Sequence, residues 1–377
     1  MIDQYEAYYQ NAFGTPALVM DRGEGVYVWD TEGKKYLDLL AGIAVNALGY
    51  GDTSMVEAMV DQAGRLAHVS NFFTTAPQVN LAKRLVSLLV DEGGAPGKVF
   101  LANSGAEANE GAMKLAMLHK PGGMIVALEG GFHGRTLGSL SITHKPTIRE
   151  PFGQIPGCEF IPSEIEALQA LGDDVAAIFL EPIQGERGVV PLSPEFLAAA
   201  RATADRIGAL LVIDEIQTGM GRTGRWFAHT EHVRADVVTL AKGLGGGMPV
   251  GAIIATGEAA DLFTPGSHGS TFGGNPVVAA ASLAVLDKVA GLLDQVSATG
   301  EWLRGRLESE GLPVRGSGLL LGVTVTDAPG LVVQLRDRGY IVNAPNENTL
   351  RLAPPLIITP EELEPFIEDL RDLRGLT

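Results

Sequence analysis

The sequence predicts an α/β protein. A large domain would rest on a mainly parallel sheet covered by helices, with a smaller α+β domain drawn from both termini. Three observations carry this expectation. From about residue 77, short and almost wholly apolar segments alternate with amphipathic helical stretches, as in a sheet buried on both faces. A hairpin signal precedes that region, and after about residue 275 the pattern turns to strands mixed with helices. At 377 residues the chain is also long for a single core. The expected division is 1–50 for the N-terminal part of the small domain, 51–275 for the large domain and 276–377 for the remainder.

The elements follow in order. MIDQYEAYYQ reads as a short helix, and GVYVWDTEGKKYLDL alternates apolar and polar residues around Glu32-Gly33, a hairpin pattern. The strand candidates are KVFLAN, MIVALEG, VAAIFLEP, ALLVIDE, VVTLAK and GAIIAT. Helical stretches such as AEANEGAMKLAMLHK and SPEFLAAARATADRIG lie between them. The second of these offers Ser193 as N-cap, Pro194 at the first helical position and Gly208 as its stop. NPVVAAASLAVLDKVAGLL opens a long helix, followed by RGSGLLLGVTV, a helix, TLRLAPP and the closing helix TPEELEPFIEDLRDL. There are no repeats and no low-complexity linker.

Composition narrows the function. A hydrophobic content of 46% with 19% charged residues excludes a disordered tail protein. The net charge of -17 repels phosphate backbones and anionic lipid, so neither nucleic acid nor a membrane is an expected partner. Cys158 is the lone cysteine, which rules out an internal disulfide and suits a reducing compartment. The first residues lack a basic segment followed by an apolar one, and no uninterrupted apolar run is of membrane-spanning length. A soluble, cytoplasmic protein is expected.

Chemistry gathers at the strand ends. LLVIDEIQTGMGRTG runs from an apolar strand into Asp214 and Glu215, and TLAKGLGGGMP ends a second strand at Lys242. Alone, each is an ordinary charge where a strand meets water. In a parallel sheet, however, ligands bind at the carboxyl ends of the strands. Asp214, Lys242 and Glu181 (in FLEPIQGE) should therefore converge. KVFLANSGAEANE adds a small turn, Asn103-Ser104-Gly105-Ala106, leading into a helix N-terminus, where free amides and the dipole attract phosphate. GGFHGRT supplies Phe132 and His133. Together these fit pyridoxal 5'-phosphate. That cofactor needs a lysine for a Schiff base, an acid at the ring nitrogen, an aromatic face and a phosphate cup.

The chain resembles the class III pyridoxal-phosphate-dependent aminotransferases, and most closely the branch that takes N2-acetyl-L-ornithine as amino donor. The matching stretches are GIAVNALG, NSGAEANE, GGFHGRT, LEPIQGE, LVIDEIQTGMGRTG, LAKGLGGGMPVGA, STFGGNP and RLAPPL, which span nearly the whole chain. The resemblance implies the aspartate-aminotransferase fold (PLP fold type I). It makes Lys242 the cofactor-binding lysine and proton carrier, and Asp214 the partner of the ring nitrogen. Gln217 falls by the ring hydroxyl, Ser104, Gly105 and Ala106 at the phosphate cup, and Phe132 over the ring. Thr271 matches a threonine that reaches the phosphate of the neighbouring subunit, which implies a homodimer with shared active sites. Arg135 and Ser270 match substrate-binding positions, and Arg351 matches the arginine gripping the α-carboxylate of glutamate or 2-oxoglutarate. Glu186 matches the glutamate that masks that arginine until the acceptor arrives. One departure stands out: the family usually follows LG with His-x-His-Pro, whereas this chain reads Gly49-Tyr50-Gly51-Asp52-Thr53.

Other readings fare worse. A dinucleotide-binding oxidoreductase would need G-x-G-x-x-G, absent from GLGGGMPVG, and Pro249 blocks the helix that should follow. A zinc enzyme is disfavoured by the lack of H-E-x-x-H, with His229 and His232 reading as solvated loop residues. A regulator that merely binds the cofactor has no basic stripe to support it. Within the family, ornithine aminotransferases carry a tyrosine where Gly42 stands, and glycine leaves room for an acyl cap. Transfer from N-acetylornithine to 2-oxoglutarate, in arginine biosynthesis, is the implied reaction. Free ornithine, succinyl-diaminopimelate and 4-aminobutyrate stay open as donors.

Overall fold

The computed structural model describes residues 1–153 and 157–374; the end of the expected C-terminal stretch, 375–377, lies outside them. At its centre is a seven-stranded sheet. Its strands run Gly97–Ala102, Gly251–Thr256, Val237–Leu240, Leu210–Asp214, Val175–Leu180, Met124–Leu128 and Cys158–Ile161 from edge to edge. Neighbours are parallel except around Gly251–Thr256, which is antiparallel to both its partners. The α/β architecture with a mainly parallel sheet is thus as expected. Every residue of Val175–Leu180, Leu210–Asp214, Val237–Leu240 and Gly251–Thr256 is buried, because helices cover both faces. Truncating Ile213 to alanine in that layer would cost about 2–5 kcal/mol.

The helices start and stop where local chemistry directs. Ser193 Oγ accepts from Phe196 N at the head of Pro194–Ile207, and Gly208 closes that helix in the left-handed conformation (φ 62°). The long C-terminal stretch breaks at Gly291 into Pro276–Ala290 and Leu293–Ser309, bent by 63°. Among the described residues no single helix is long and apolar enough to cross a membrane.

Both termini contribute further sheets. Met20–Glu24, Tyr27–Asp30 and Lys35–Asp38 form an antiparallel meander, and Tyr340–Ile341 joins it parallel to Lys35–Asp38. The hairpin turn forms where expected, with Asp30 Oδ1 accepting from Glu32 N and Lys34 N. A second antiparallel sheet comprises Val314–Ser317, Leu320–Thr324, Thr349–Leu352 and Asn343–Asn346. A two-stranded ribbon, Ile183–Gln184 with Val190–Pro191, leaves the central sheet after Glu181.

The unusual Gly49–Thr53 stretch has a definite role. Tyr50 pairs with Gly25, and its hydroxyl donates to Asp38 Oδ2 at 2.6 Å. Asp52 then caps Thr53–Arg65 by accepting from Met55 N. Gly49 has φ +68°, and a Cβ there would lie 2.1 Å from Gly25 O, so glycine is needed for the close approach. Just upstream, Ala41–Ala44 is a left-handed turn, with φ of 51°, 66°, 66° and 62° in succession.

Candidate active site

Strand direction collects the charged residues. Val175–Leu180 leads into Glu181, Leu210–Asp214 ends on Asp214, and Val237–Leu240 leads through Ala241 to Lys242. Gly97–Ala102 leads into Asn103 and Ser104. All of these residues line one cavity of about 470 Å³. The convergence expected of Asp214, Lys242 and Glu181 is therefore present.

The floor is a helix N-terminus. Ser104 caps Gly105–His119, its hydroxyl accepting from Glu107 N at 3.1 Å. Gly105 and Ala106 face the cavity at the positive end of the helix dipole. A Cβ on Gly105 would come within 2.7 Å of Ile216 Cδ1, so a larger residue in this turn would have to displace the Ile216 side chain.

Asp214 is held from three sides. Its Oδ2 accepts from Asn109 Nδ2 at 2.8 Å and His133 Nδ1 at 2.7 Å, and its Oδ1 accepts from Ile216 N at 3.0 Å. The residue is only 3% exposed. Burial alone would depress the His133 imidazole, but the hydrogen bond and charge of Asp214 outweigh it and raise its pKa. Beside it, Glu181 Oε2 accepts from Phe132 N at 3.0 Å. Burial drives the Glu181 carboxyl up to about 7; His133 opposes the shift and Asp214 adds to it.

Lys242 has φ +42°, a left-handed conformation costing about 1–2 kcal/mol for a non-glycine residue. The residue keeps some accessible surface because it lines the cavity. Desolvation by its packed surroundings still pushes the amine down to about 8; Arg351 adds to the shift, while Asp214, Glu186 and Glu181 oppose it. A lowered pKa leaves more of the amine free as base and nucleophile near neutrality.

A second charged cluster is built around Arg351, which is 1% exposed. Its Nε donates to Asn343 Oδ1 at 3.0 Å, and Nη1 donates to Glu186 Oε1 at 2.6 Å and Gln217 Oε1 at 3.5 Å. The Glu186 side chain remains 30% exposed. Its carboxyl sits below the ordinary value: burial raises it, but the charge and hydrogen bond of Arg351 prevail. Gln217 packs so tightly that a Cβ on Gly185 would be 2.0 Å from its Oε1.

The remaining candidates divide. Phe132, Arg135, Glu186 and Gln217 line the cavity with Ser104, Gly105, Ala106, Asp214 and Lys242. Arg351 reaches it through Glu186 and Gln217. Ser270 is not on the cavity wall; its hydroxyl accepts from Asn103 Nδ2 at 3.0 Å. Thr271 is exposed on the molecular surface. Sequence reasoning missed Asn109 and the bond from His133 to Asp214. The available signal was a polar residue on the buried face of Gly105–His119. It also misread His229, which is 1% exposed and joined to Glu215, Nδ1 to Oε1 at 2.7 Å. Glu215 turns inward and takes that imidazole with it, whereas His232 is solvent-facing as expected.

The residues fit pyridoxal 5'-phosphate. An amine of lowered pKa, a buried carboxylate fixed by three donors and an amide-lined helix head share one cavity of suitable size. Comparison with known proteins agrees. Residues 8–373 match the family described as aminotransferase class-III. The acetylornithine aminotransferase of Streptomyces coelicolor is 49% identical, over 97% of this chain and 93% of that protein. The crystal structure of N-acetylornithine aminotransferase from Stenotrophomonas maltophilia superposes with a TM-score of 0.84 at 36% identity, covering 100% of this chain and 99% of that one. Ornithine aminotransferase from Toxoplasma gondii, a structure with partial occupancy of PLP at its active site, gives a TM-score of 0.91 at 31% identity, covering 98% and 92%. A match running through both ends of the cavity and nearly the full chain leaves one conclusion: this protein belongs to the class-III aminotransferases.

Proposed function

We propose that this enzyme moves the terminal amino group of N2-acetyl-L-ornithine to 2-oxoglutarate, giving N-acetyl-L-glutamate 5-semialdehyde and L-glutamate, with pyridoxal 5'-phosphate as its cofactor. One observation carries the reading: the buried guanidinium of Arg351 is covered by the partly exposed carboxylate of Glu186. A donor that reacts at its terminal amine needs no α-carboxylate grip, while an acceptor reacting beside its α-carboxylate does. Glu186 covers Arg351 in the first half-reaction and yields it in the second. Without that cover a bare buried guanidinium would be costly and would attract the wrong end of the donor.

The cofactor, when bound, supplies an electron sink for the carbon that loses its proton. The protein supplies the rest. Gly105, Ala106 and the Ser104 cap would bind the phosphate, and Phe132 would cover the ring face. Asp214, fixed by Asn109, His133 and the Ile216 amide, would keep the ring nitrogen protonated. Gln217 would lie by the ring hydroxyl. Lys242 would hold the cofactor through Nζ and then use that amine to move the proton between substrate and cofactor carbons. Arg135, exposed at the rim with its guanidinium 5.7 Å from the Phe132 ring centre, would take a substrate carboxylate. Ser270 would position the loop of the exposed Thr271, which would complete the site of a second copy in a homodimer. Residues 51–275 would form the cofactor-binding domain, with 1–50 and 276–377 as the smaller one.

Donor choice rests on Gly42. It belongs to the left-handed turn, and a Cβ there would lie 3.5 Å from Val45 Cβ, while Val45 lines the cavity. A larger residue at this position would crowd the wall on which an acyl cap must lie. The test is a panel of N-acetylornithine, ornithine, succinyl-diaminopimelate and 4-aminobutyrate, each assayed for kcat/KM with 2-oxoglutarate. N-acetylornithine is expected to lead; a higher kcat/KM for free ornithine would overturn the donor assignment.

A further inference from the structure

If Glu186 moves, its backbone must stay in place, and the local backbone closes around it only through two long bonds, from Gly188 N and Val189 N to Gly185 O, each at 3.2 Å. Glu186 lies in the turn between Ile183–Gln184 and Val190–Pro191, a ribbon of only two residue pairs and too short to be stable alone. The turn is also strained at one residue: Val189, β-branched and wholly buried, has φ 60°, whereas its neighbour Gly188, at φ +111°, adopts that conformation freely.

Side chains of the C-terminal sheet supply the hold. Arg315 Nε donates to Gly188 O at 2.7 Å, Nη1 to Thr324 Oγ1 at 2.8 Å and Nη2 to Thr349 Oγ1 at 2.5 Å. Asn346 Nδ2 donates to Arg187 O at 2.9 Å. A Cβ on Gly188 would lie 2.8 Å from Thr349 Oγ1 and 2.9 Å from Arg315 Nη2, so turn and guanidinium are packed in contact. Thr349 opens the strand Thr349–Leu352, which carries Arg351. One guanidinium therefore bridges the turn bearing Glu186 and the strand bearing Arg351. All three of its nitrogens go to neutral oxygens. A lysine ammonium is a point charge and cannot span three segments in this way.

We propose that Arg315 is a positioning residue for substrate selection. It braces the Glu186 turn against the Arg351 strand, so that Glu186 covers Arg351 by default and leaves by side-chain rotation alone. This rests on the Glu186–Arg351 exchange argued above. Without the brace, the strained turn relaxes and the carboxylate loses its register on Arg351. Carboxylate ligands then meet less competition for the guanidinium.

The test uses the holoenzyme and glutarate, a dicarboxylate of the acceptor's length with no keto group to react. Its Kd is measured by calorimetry beside single-turnover rates with glutamate and N-acetylornithine. Glu186→Ala is expected to tighten glutarate about tenfold, and Arg315→Met about threefold to tenfold. The ratio of glutamate to N-acetylornithine rates should rise in both variants. Glu186→Ala/Arg315→Met should bind glutarate no more tightly than Glu186→Ala, because no covering carboxylate remains to misplace. Arg315→Lys keeps charge and stem, guards against loss of folding and should shift both readouts in the same direction. If Glu186→Ala tightens glutarate but Arg315→Met and Arg315→Lys bind it like wild type, the brace is refuted and the exchange stands. An additive double variant refutes the brace equally. If Glu186→Ala leaves glutarate binding unchanged, the exchange itself is wrong and the brace falls with it.

Discussion

The two charged ends of the cavity follow opposite rules. At one end Asp214 is 3% exposed and receives three hydrogen bonds, from Asn109, His133 and the Ile216 amide. At the other, Arg351 is equally buried, but its main partner is a carboxylate whose side chain is 30% exposed. The contrast matches the demands of the proposed chemistry, in which Asp214 faces the cofactor and Arg351 the substrate. A charge facing the cofactor is needed in every turn of the reaction, so rigidity helps throughout. A charge facing the substrate is needed in one half-reaction and harmful in the other, so its partner must be able to leave. Changes at the fixed end should slow both half-reactions alike, and changes at the switchable end should slow one.

Lys242→Ala gives the largest expected effect. Turnover should fall by about 10⁴-fold or more, the upper range for a lost general base, and in both half-reactions. Borohydride treatment of wild type should fix the cofactor's mass on the peptide containing Lys242, and the variant should show no such adduct. Asp214→Asn comes next. It should retain bound cofactor yet lose about 10²–10³ in kcat, as for one removed electrostatic partner, again in both directions. Loss confined to one half-reaction would break the idea of a fixed end.

Much of that fixed end was legible in the sequence because its residues terminate strands. Apolar runs such as LLVID mark a buried strand, and the next polar residue must then lie at its mouth. What surrounds Asp214 was not legible. Asn109 and His133 lie 105 and 81 positions away in sequence, and no local pattern links a residue to partners so remote. The Cys158–Ile161 strand escaped notice because it is a four-residue edge strand with no fully buried residue, leaving little apolar signal. The antiparallel course of Gly251–Thr256 is set by its neighbours rather than by its own residues. The left-handed Ala41–Ala44 turn contains two alanines and an isoleucine at φ above 50°, positions for which sequence carries no such preference. At the switchable end the Glu186–Arg351 pairing was anticipated from resemblance alone, and Arg315 from nothing at all.

Arg351→Lys separates the two ends most directly. Lysine keeps the positive charge but loses the fork that binds a carboxylate through two parallel bonds. The glutamate and 2-oxoglutarate half-reaction should slow by about 10²-fold, while the N-acetylornithine half-reaction changes less than about threefold. Single-turnover absorbance of the bound cofactor measures each separately. Equal slowing of both would mean that Arg351 serves the fixed end after all.

Glu181 gives the smallest expected effect and asks whether the fixed end holds one negative charge or two. Burial pushes its carboxyl from the ordinary 4.5 to about 7, so the folded protein keeps a proton there that the unfolded chain releases. A carboxyl with a raised folded-state pKa contributes stability that is fully present below about pH 4.5 and is lost as pH rises through about 7. Glu181→Gln removes this titration and keeps an oxygen to accept from the Phe132 amide. Wild type should therefore lose stability relative to the glutamine variant between about pH 5 and about pH 7.5, by on the order of 2 kcal/mol. The measurement is urea denaturation of both proteins across that range at equal cofactor occupancy. A difference that stays constant with pH would mean that Glu181 is ionised beside Asp214 throughout. The fixed end would then carry two negative charges, and the cationic form of His133 would have to balance one of them.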